Sequence, residues 1–345
     1  MRKKNAYNVA VVGVGVVGIE MLRVLKQRNF PINKLKVFAR TARQINVDGQ
    51  VYDVGVISSE SFDGIDIALF AGTEGEKGAA VTYAADAVKR GAVVIDNGAD
   101  FRMENDVPLV VPEVNPQDAM KYRKRGIIAN PNCSTIQMVV ALSPIHKVAK
   151  IKRVIVTTLQ AASGAGKGAV EQLKKELDIL VQKGCSNIII KDFQDRALPQ
   201  QLAFNVFPHI GGFSESDFTS EEWKMVKETH KIMHADKMKV SATTVRVPVR
   251  TGHSESVYFE TKKDISAEDI KKLLKNAPGV ELVDSPKDSA YPLPINCEGK
   301  DAVYVGRVRK DPFVKNGFWL WNVSDNLRKG AALNAVQIAE LLIRK

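Results

Sequence analysis

Cys133 is the residue of this chain that is most readily interpreted as a nucleophile. A turn-forming Asn-Pro-Asn run precedes it, and Ser134 and Thr135, small residues that start helices, follow it ahead of an apolar stretch. The partial positive charge at a helix N-terminus favours a thiolate over a thiol. Cys185 and Cys297 have apolar surroundings instead, so we expect both of them to be buried and unreactive.

A glycine-rich loop near the start of the chain indicates a dinucleotide site. The motif G-x-G-x-x-G falls between a predicted strand, Asn8 to Val12, and a predicted helix, Ile19 to Gln27. Glycines let the backbone turn tightly and approach a pyrophosphate, whose charge is balanced by the N–H groups at the start of the helix. The loop residues assigned to the cofactor are Gly13, Val14, Gly15, Val16, Val17 and Gly18.

The segment after the second predicted strand favours NADP over NAD. NAD sites usually carry Asp or Glu there to bind the ribose hydroxyls, whereas the 2′-phosphate of NADP needs positive charge. The segment from Phe38 to Arg43 has two arginines and no acid, and we assign Arg40, Thr41 and Arg43 to the cofactor. The pattern leaves open which arginine meets the phosphate.

A thiol nucleophile beside a nicotinamide implies aldehyde chemistry through a thiohemiacetal and a thioester, which requires an acid/base group. His253 follows a predicted turn between two strands, where we expect a rigidly held, partly exposed imidazole. The other histidines lie in amphipathic or linker segments and are interpreted as surface or capping residues: His146, His209, His230 and His234.

Three further charged side chains are suited to a charged substrate. Arg246 alternates with valines on a predicted strand, which turns its guanidinium away from the apolar side, where it can grip a carboxylate. A surface strand is the alternative interpretation. Glu221 and Lys224 share one face of a predicted helix and suit an ammonium and a phosphate, although a solvated ion pair explains them equally well.

The elements that position these residues begin with an open, doubly wound domain. Up to about residue 130, short apolar runs alternate with amphipathic stretches, which predicts parallel strands buried on both faces. The predicted strands are Asn8 to Val12, Lys36 to Ala39, Ile65 to Phe70, Gly91 to Asp96 and Pro108 to Pro112, with helices over Ile19 to Gln27 and Gly78 to Lys89. The fold class is therefore α/β, with an N-terminal Rossmann-like domain.

Longer strand candidates after about residue 130 predict a C-terminal α+β catalytic and dimerisation domain with a mixed or antiparallel sheet. Thr219 and Glu222 form a predicted capping box at the start of one of its helices. The predicted strands are Lys152 to Gln160, Lys239 to Val249, Ser256 to Thr261, Ala302 to Arg309 and Phe318 to Val323, and the predicted helices are Ala169 to Gln182, Ser220 to Met233 and Ser266 to Leu274. We expect domains at 1–130 and 131–324, the first completed by a helix, Leu327 to Ile343, within 325–345.

The composition narrows the class of protein. The chain has 345 residues, 45% of them hydrophobic and 26% charged, which is typical of globular domains and argues against disorder or a coiled coil. The net charge of +11 is spread among acidic residues without a basic run, so we expect small anionic ligands rather than nucleic acid. No apolar window suits a membrane helix, and three scattered cysteines without a C-x-x-C pair indicate a reducing cytoplasm and no metal site.

Taken together, these residues resemble the aspartate-semialdehyde dehydrogenase family. The matching motifs run from the glycine loop through GAVVIDN (Gly91 to Asn97), FRM (Phe101 to Met103), VVPEVNP (Val110 to Pro116), NPNCST (Asn130 to Thr135), QAASGAG (Gln160 to Gly166), VRVPV (Val245 to Val249), GHSE (Gly252 to Glu255) and SDNLRKG (Ser324 to Gly330). The resemblance implies reversible reductive dephosphorylation of 4-phospho-L-aspartate by NADPH. The products are L-aspartate 4-semialdehyde and phosphate, at the branch towards lysine, threonine, methionine and isoleucine.

The resemblance also implies residue roles. Cys133 would form an acyl-thioester, His253 would be the acid/base, and Gln160 would orient the substrate. Arg246 would bind the substrate α-carboxylate and Glu221 the α-ammonium group. The phosphate pocket would consist of Arg102, Asn132 and Lys224, and further cofactor contacts would come from Ser163, Gly164 and Asn326. The family commonly assembles as homodimers, sometimes paired into homotetramers.

Three other functions fit parts of the pattern. N-acetyl-γ-glutamyl-phosphate reductase shares the architecture and the thiol chemistry, but its nucleophile motif is expected to read Asn-Pro-Gly-Cys, and its acylated amine gives no role to Glu221. An acyl-CoA reductase on the same scaffold is a second alternative. A non-catalytic dinucleotide-binding protein is the least favoured, because Cys133, Gln160, Arg246 and His253 are all present.

Overall fold

The computed structural model describes residues 3–72, 78–185, 189–190, 196–214 and 216–343. The chain divides into two compact units. The first comprises Met1–Asn132, Lys231–His234 and Arg328–Lys345, and the second comprises Cys133–His230 and Ala235–Leu327.

A seven-stranded sheet forms the centre of the first unit. Its strands are β1 (Tyr7–Val12), β2 (Ile32–Ala39), β3 (Arg43–Val47), β4 (Gln50–Val56), β5 (Ile67–Phe70), β6 (Val93–Asp96) and β7 (Ile127–Ala129). They lie in the order β3-β4-β2-β1-β5-β6-β7, and every pair is parallel except β3 with β4. Helices α1 (Val16–Gln27) and α2 (Ala79–Lys89) each connect two parallel strands, as in a doubly wound fold.

The core of the first unit covers both faces of β1. Val9 and Val11 are completely buried, and so is Ala10 between them, which explains why the strand is apolar without alternation. The C-terminal helix, Leu333–Ile343, contributes Leu333 and Val336 to the same core. A wider helical turn, Arg328–Ala332, precedes that helix.

The C-terminal segment is fastened to the first unit by buried charged groups. Arg328 Nη1 lies 2.6 Å from Glu20 Oε1 on α1, and Lys329 Nζ lies 2.6 Å from Glu113 Oε2. Because buried charges are costly without such partners, these pairs fix where the last segment of the chain packs.

Three parts of the first unit differ from the sequence-based prediction. The apolar run Pro108 to Pro112 is not a strand; it makes only an isolated bridge between Leu109 and Ala129. The hairpin of β3 and β4 was not predicted, because its mostly exposed strands lack an apolar run. The predicted terminal helix is shorter, since residues 328–332 form the wider turn.

A six-stranded sheet forms the second unit. Its strands are β8 (Ile151–Gln160), β9 (Lys239–Arg246), β10 (His253–Thr261), β11 (Val280–Leu282), β12 (Val303–Lys310) and β13 (Gly317–Ser324). They lie in the order β11-β12-β13-β10-β8-β9; the two outer pairs are parallel and the three inner pairs antiparallel. The helices are α3 (Cys133–Ala149), α4 (Lys167–Gln182), α5 (Ser220–Met233), α6 (Ala267–Lys275) and α7 (Pro294–Cys297). This mixed sheet confirms the predicted α+β domain.

One face of this sheet is covered by α3, and along β9 that face is polar. Thr244 and Arg246 are buried, whereas Val245 between them is only half-buried. The predicted alternation is confirmed, because Arg246 shares the polar face with Thr244 and not the face of the valines. The surface-strand alternative for Arg246 was wrong, because this polar face is buried. The strand also ends at Arg246 rather than at Val249, because Pro248 has no N–H to continue a ladder.

Within the described ranges, no helix is both long and apolar enough to cross a membrane. Cys297 is buried as expected, but Cys185 is exposed, contrary to the prediction, because it lies beyond the end of α4.

Candidate active site

Cys133 is the first residue of α3, in the position that the Asn-Pro-Asn turn predicts. Its side chain is half-buried. Ser134, next to it, is completely buried. The N–H groups of the first helical turn have no partner within the helix, so their dipoles favour negative charge on a thiol at this place.

Three side chains from adjacent strands face this helix, and we call Arg246, Gln160 and His253 the active-site row. Arg246 pairs in register with Gln160 across β9 and β8. Across β8 and β10, Ser254 pairs with Leu159, so His253 starts β10 beside the end of β8. All three members of the row are buried.

Gln160 is held by hydrogen bonds from its side-chain amide. Its Nε2 donates to Ser134 Oγ at 2.8 Å and to Glu221 Oε1 at 3.2 Å. Lys224 Nζ lies 3.7 Å from Glu221 Oε2, so the predicted shared helix face of Glu221 and Lys224 is confirmed. Gln160 therefore connects the start of α3 with the start of α5.

Ala161 aligns the other two members of the row through its backbone. Its carbonyl oxygen accepts a hydrogen bond from Arg246 Nη1 at 2.5 Å, and its N–H donates to His253 Nδ1 at 3.1 Å. His253 is completely buried at the first position of β10, so the expectation of a partly exposed imidazole in a turn was wrong. Among the described residues, nothing bonds to His253 Nε2.

Burial and charge set the protonation of these groups. Burial lowers the pKa of Arg246, while Cys133 and Glu221 attract the guanidinium and oppose that effect. Burial, and secondly the positive charge of Arg246, hold the pKa of His253 well below its usual value. His253 is therefore neutral around pH 7, and the positive charge of the row stays on Arg246.

The loop after β8 packs against the active-site row. A Cβ on Gly164 would lie 2.9 Å from His253 Cε1, 3.0 Å from His253 Nε2 and 3.2 Å from Arg246 Nη1, so a side chain there would press on both groups. Ser163 Oγ and Asn326 form hydrogen bonds of 3.0 and 3.2 Å, and Gly252 N–H donates to Asn326 Oδ1 at 2.9 Å. The predicted residues Ser163, Gly164 and Asn326 thus cluster with His253; all but the exposed Gly164 are buried.

The predicted capping box at α5 is confirmed and has a wider role. Glu222 Oε2 accepts the N–H of Thr219 at 2.7 Å, and the N–H of Glu222 donates to Thr219 Oγ1 at 3.3 Å. Glu222 Oε1 also accepts the N–H of Thr244 on β9 at 3.0 Å. This carboxylate therefore fixes the helix of Glu221 to the strand of Arg246.

Sequence reasoning missed Ser134 and Ala161. Ser134 is adjacent to Cys133, and its small polar side chain was interpreted only as helix-starting. Ala161 acts through backbone atoms, for which a sequence carries no side-chain signal.

Two predicted phosphate-pocket residues belong to the first unit. Arg102 is buried, and its guanidinium donates to the carbonyl oxygens of Asn130 at 3.0 Å and Asn97 at 2.8 Å. Asn132, the last residue before Cys133, is buried as well. The backbone contacts of Arg102 fix its guanidinium beside the segment that leads into α3.

The glycine loop leaves room for a dinucleotide phosphate. Gly13 has a φ of +97°, and a Cβ on Gly18 would lie 1.9 Å from the Gly13 carbonyl oxygen, so these two positions require glycine. Nothing described lies within 4 Å of the position of a Cβ on Gly15, which directly precedes α1. The loop, including Val14, Val16 and Val17, thus turns sharply and presents the start of a helix to open space.

Arg40 and Thr41 are exposed in the connection between β2 and β3, and Arg43 is the exposed first residue of β3. Arg43 Nη1 donates to Thr41 Oγ1 at 2.9 Å. The end of β2 lies beside the glycine loop, since Phe38 O accepts the N–H of Gly13 at 2.8 Å. Arg40 and Arg43 therefore follow the strand end where the ribose of a dinucleotide is bound in this fold.

Comparisons with known proteins agree with this arrangement. Residues 8–122 match the family model "Semialdehyde dehydrogenase, NAD binding domain", and residues 142–329 match "Semialdehyde dehydrogenase, dimerisation domain". The chain is 52% identical to an aspartate-semialdehyde dehydrogenase of Aquifex aeolicus, over 98% of both chains, and 49% identical to one of Bacillus subtilis, over 97% of both. The chain belongs to the aspartate-semialdehyde dehydrogenase family.

A solved structure supports the same assignment. The aspartate semialdehyde dehydrogenase II of Vibrio cholerae, complexed with ASA, matches this enzyme with a TM-score of 0.92 and 42% identity, over 99% of each chain. The enzyme is thus an oxidoreductase of the aspartate-semialdehyde dehydrogenase class, with a nucleotide-binding first unit. These relatives carry the activity of the main hypothesis and not those of its alternatives, the N-acetyl-γ-glutamyl-phosphate and acyl-CoA reductases or a non-catalytic protein.

Proposed function

We propose that the enzyme reduces 4-phospho-L-aspartate to L-aspartate 4-semialdehyde with NADPH, releasing phosphate, through an acyl-thioester on Cys133. The observation that carries this proposal is that Gln160 donates hydrogen bonds both to Ser134, the neighbour of Cys133, and to Glu221. Arg246 pairs with Gln160 in register, and both Cys133 and Glu221 attract its guanidinium. A thiol nucleophile, a fixed cation and a fixed anion therefore lie within one another's electrostatic range, which suits an amino acid bearing an activated carboxyl group.

The thiolate of Cys133 attacks the acyl-phosphate carbon, and the bond from that carbon to the phosphate oxygen breaks. The products are inorganic phosphate and a thioester. Arg102, Asn132 and Lys224 receive the phosphate in this proposal, because Arg102 and Lys224 bring positive charge and Asn132 a hydrogen-bonding amide next to the nucleophile in sequence.

A bound nicotinamide would supply the hydride that reduces the thioester carbon. The carbonyl oxygen becomes negative as this happens, and His253 donates a hydrogen bond from Nε2, the ring nitrogen that Ala161 leaves open. The resulting thiohemiacetal collapses to the aldehyde and the Cys133 thiolate. Gln160, fixed by Ser134 and Glu221, orients the substrate beside the thioester.

Opposite charges recognise the two ends of the amino-acid group. Arg246 binds the α-carboxylate with its guanidinium, and Glu221 binds the α-ammonium group. Both side chains are buried, so each charged group of the substrate exchanges its hydrating water for a fixed protein group of opposite charge. The Vibrio cholerae relative, solved as a complex with ASA, supports a substrate of this class.

The cofactor is NADP in this proposal. The open space at Gly15 and the start of α1 suit the pyrophosphate, and Arg40, Thr41 and Arg43, which follow β2 in the chain, suit the 2′-phosphate. Ser163, Gly164 and Asn326 contribute the contacts near the nicotinamide, since they cluster with His253.

The second unit also supports a homodimer. On β8 the side chains alternate, with Val154, Val156 and Thr158 buried under α3 and Ile155 and Thr157 exposed on the opposite face. An exposed sheet face that carries Ile155 suits a second copy of the chain, in accordance with the family description "dimerisation domain". Pairing of such dimers gives the homotetramer as the larger form. We assign the enzyme to the cytoplasm, where three free thiols stay reduced.

One assay tests the reaction: NADPH formation from L-aspartate 4-semialdehyde with and without phosphate. We expect phosphate-dependent formation of NADPH, and a loss of more than about a thousandfold in kcat for Cys133→Ala. Cys185→Ala, which removes an exposed thiol, is the matched control and should keep wild-type activity. Full activity of Cys133→Ala would refute the thioester, and reduction of malonyl-CoA would favour the acyl-CoA alternative.

A further inference from the structure

A second row of polar side chains lies next to the active-site row on the same face of the sheet. Glu255 follows His253 by two residues on β10, so both side chains point to one face. In register, Glu255 pairs with Asn322 of β13 and with Thr158 of β8, and Thr158 pairs with Thr244 of β9. All four residues of this second row are completely buried. None of the four side chains of this second row takes part in the chemistry proposed above.

Gln137 connects this layer to the helix of the nucleophile. It lies four residues after Cys133 on α3, one helical turn further on the same side. Its Nε2 donates to Asn322 Oδ1 at 2.9 Å, and its Oε1 accepts a hydrogen bond from Ser324 Oγ at 2.8 Å. The first turn of α3 is thereby fastened to β13, the strand that pairs with the strand of His253.

Glu255 and Asn322 are incompletely bonded members of the layer. Neither carboxyl oxygen of Glu255 has a hydrogen-bond partner among the described residues, and neither has Nδ2 of Asn322, which lies directly opposite. A buried carboxylate without donors is strongly unfavourable. A neutral carboxylic acid carries one O–H donor and one carbonyl acceptor, which complement the N–H and C=O of the Asn322 amide.

Among the residues that the structure describes, none supplies positive charge to an ionised Glu255. Burial raises the pKa of Glu255 to about 8, and the nearby amides of Asn322 and Gln137 only partly oppose this effect. α3 contributes Gln137, β13 contributes Asn322 and β8 contributes Thr158. The titratable group on the same strand face is His253, which is neutral, and Arg246 lies two strands away.

We propose that Glu255 is a positioning residue that acts as a neutral carboxylic acid paired with the amide of Asn322. This pairing keeps Asn322 Oδ1 directed towards Gln137, and the hydrogen bond from Gln137 in turn holds the start of α3, where Cys133 lies. This inference rests on the proposed role of Cys133 as nucleophile. Ionisation leaves Glu255 with acceptors only, so it competes with Asn322 for the N–H groups of Gln137 and loosens the start of α3. Thiol reactivity and kcat then fall as Glu255 loses its proton.

The pH dependence of Glu255→Gln tests this proposal. Glutamine keeps the size, offers a donor and an acceptor to Asn322, and does not ionise. We expect the ratio of kcat of Glu255→Gln to that of the wild type to rise at least about fivefold between about pH 7 and about pH 9. Glu268→Gln is the matched control, because Glu268 is exposed on α6 beside Lys271, and its profile should superimpose on that of the wild type. A ratio that stays constant over this range would overturn the proposal.

A second measurement separates this inference from the proposed reaction. The rate of Cys133 alkylation by iodoacetamide, measured without substrate, should fall in the wild type relative to that in Glu255→Gln as the pH rises through Glu255 ionisation, because any change in the thiolate fraction of Cys133 itself is common to both proteins. If the alkylation rates of the wild type and Glu255→Gln diverge with pH but the enzyme does not catalyse the proposed reaction, only the proposed function is refuted. If the two alkylation profiles are equal, the role of Glu255 is refuted.

If Glu255→Gln does not fold, infrared spectra of wild-type enzyme with isotope-labelled glutamate test the protonation of Glu255 directly. A protonated-carboxyl band that disappears near pH 8 is expected, and its absence at neutral pH refutes the proposal.

Discussion

The backbone N–H of Ala161 donates a hydrogen bond to Nδ1 of His253 across 3.1 Å. A neutral imidazole that accepts at Nδ1 carries its proton on Nε2, so the ring is set as a donor on its other side. The carbonyl oxygen of the same alanine accepts from Arg246 Nη1. One residue at the end of β8 therefore determines the tautomer of the imidazole and the direction of the guanidinium.

Replacing Arg246 should change the titration of His253. Besides burial, the positive charge of Arg246 lowers the pKa of His253, so Arg246→Met should move that pKa upwards, towards the usual value of histidine. A titration of the imidazole ring nitrogens by NMR in the enzyme without substrate measures the shift independently of catalysis. Arg250→Met is the control, because Arg250 is exposed and pairs with Glu298 instead. An unchanged midpoint in Arg246→Met would contradict the electrostatic coupling.

A methyl group at position 164 should impair catalysis more than stability. The Cβ of Gly164→Ala would meet His253 Nε2 at 3.0 Å and Arg246 Nη1 at 3.2 Å, and the backbone there needs no left-handed conformation. We expect kcat to fall at least about tenfold, which corresponds to about 1.4 kcal/mol, with a Tm close to that of the wild type. Gly212→Ala, where a Cβ meets nothing described within 4 Å, serves as the control. Equal kcat values for the two variants would show that Gly164 is only a loop residue.

Removal of the Glu222 carboxylate should destabilise the second unit. Its two oxygens accept the N–H groups of Thr219 and Thr244 in a buried site. Glu222→Ala leaves both donors unsatisfied, at a cost of about 2 to 4 kcal/mol in the free energy of unfolding. Urea denaturation measures this, with the exposed Glu171→Ala on α4 as the control. A loss below about 0.5 kcal/mol would mean that water replaces the carboxylate there.

The fold was largely predictable because most of its elements carry strong local patterns. Apolar runs such as that of β1 and the capping box at Thr219 and Glu222 fix elements through short-range physics, and these predictions are confirmed. The hairpin of β3 and β4 has no such run, since its strands are mostly exposed. The strand predicted over Pro108 to Pro112 reduces to one bridge at Leu109, because prolines flank it.

The candidate site was predictable where a side chain carries the signal and unpredictable where the backbone does. Cys133 stands at the start of α3 as its turn motif predicts. The burial of Arg246 was missed because alternation along a strand does not reveal which face α3 will cover. The contacts of Ala161 involve only main-chain atoms, and the pairing of Glu255 with Asn322 depends on the register of two strands far apart in sequence.

Removing the arginines that follow β2 should reduce the preference for NADP. Arg40→Ala combined with Arg43→Ala deletes both charges available to a 2′-phosphate, while a NAD-binding site loses no partner. We expect kcat/KM for NADPH to fall at least about tenfold and that for NADH to change less than about threefold. Lys36→Ala, an exposed position on β2, is the control for general loss of charge. A parallel fall with both cofactors would refute the assignment, and the two single variants show which arginine matters.

The ionisation of Glu255 should also appear in the stability of the folded enzyme. Its pKa is raised from 4.5 to about 8 by burial, so between these values the folded chain holds a proton that the unfolded chain has lost. Stability therefore decreases as the pH rises through this window, by up to about 1.4 kcal/mol per pH unit, and the decrease stops above the folded pKa.

Glu255→Gln does not titrate, so its unfolding free energy relative to the wild type should rise across the same window and level off outside it. Urea denaturation at a series of pH values measures this difference, and Glu268→Gln, on an exposed helix start, should give a flat line. A flat line for Glu255→Gln as well would mean that the carboxyl group is ionised inside the fold, and its proposed pairing with Asn322 would then be wrong.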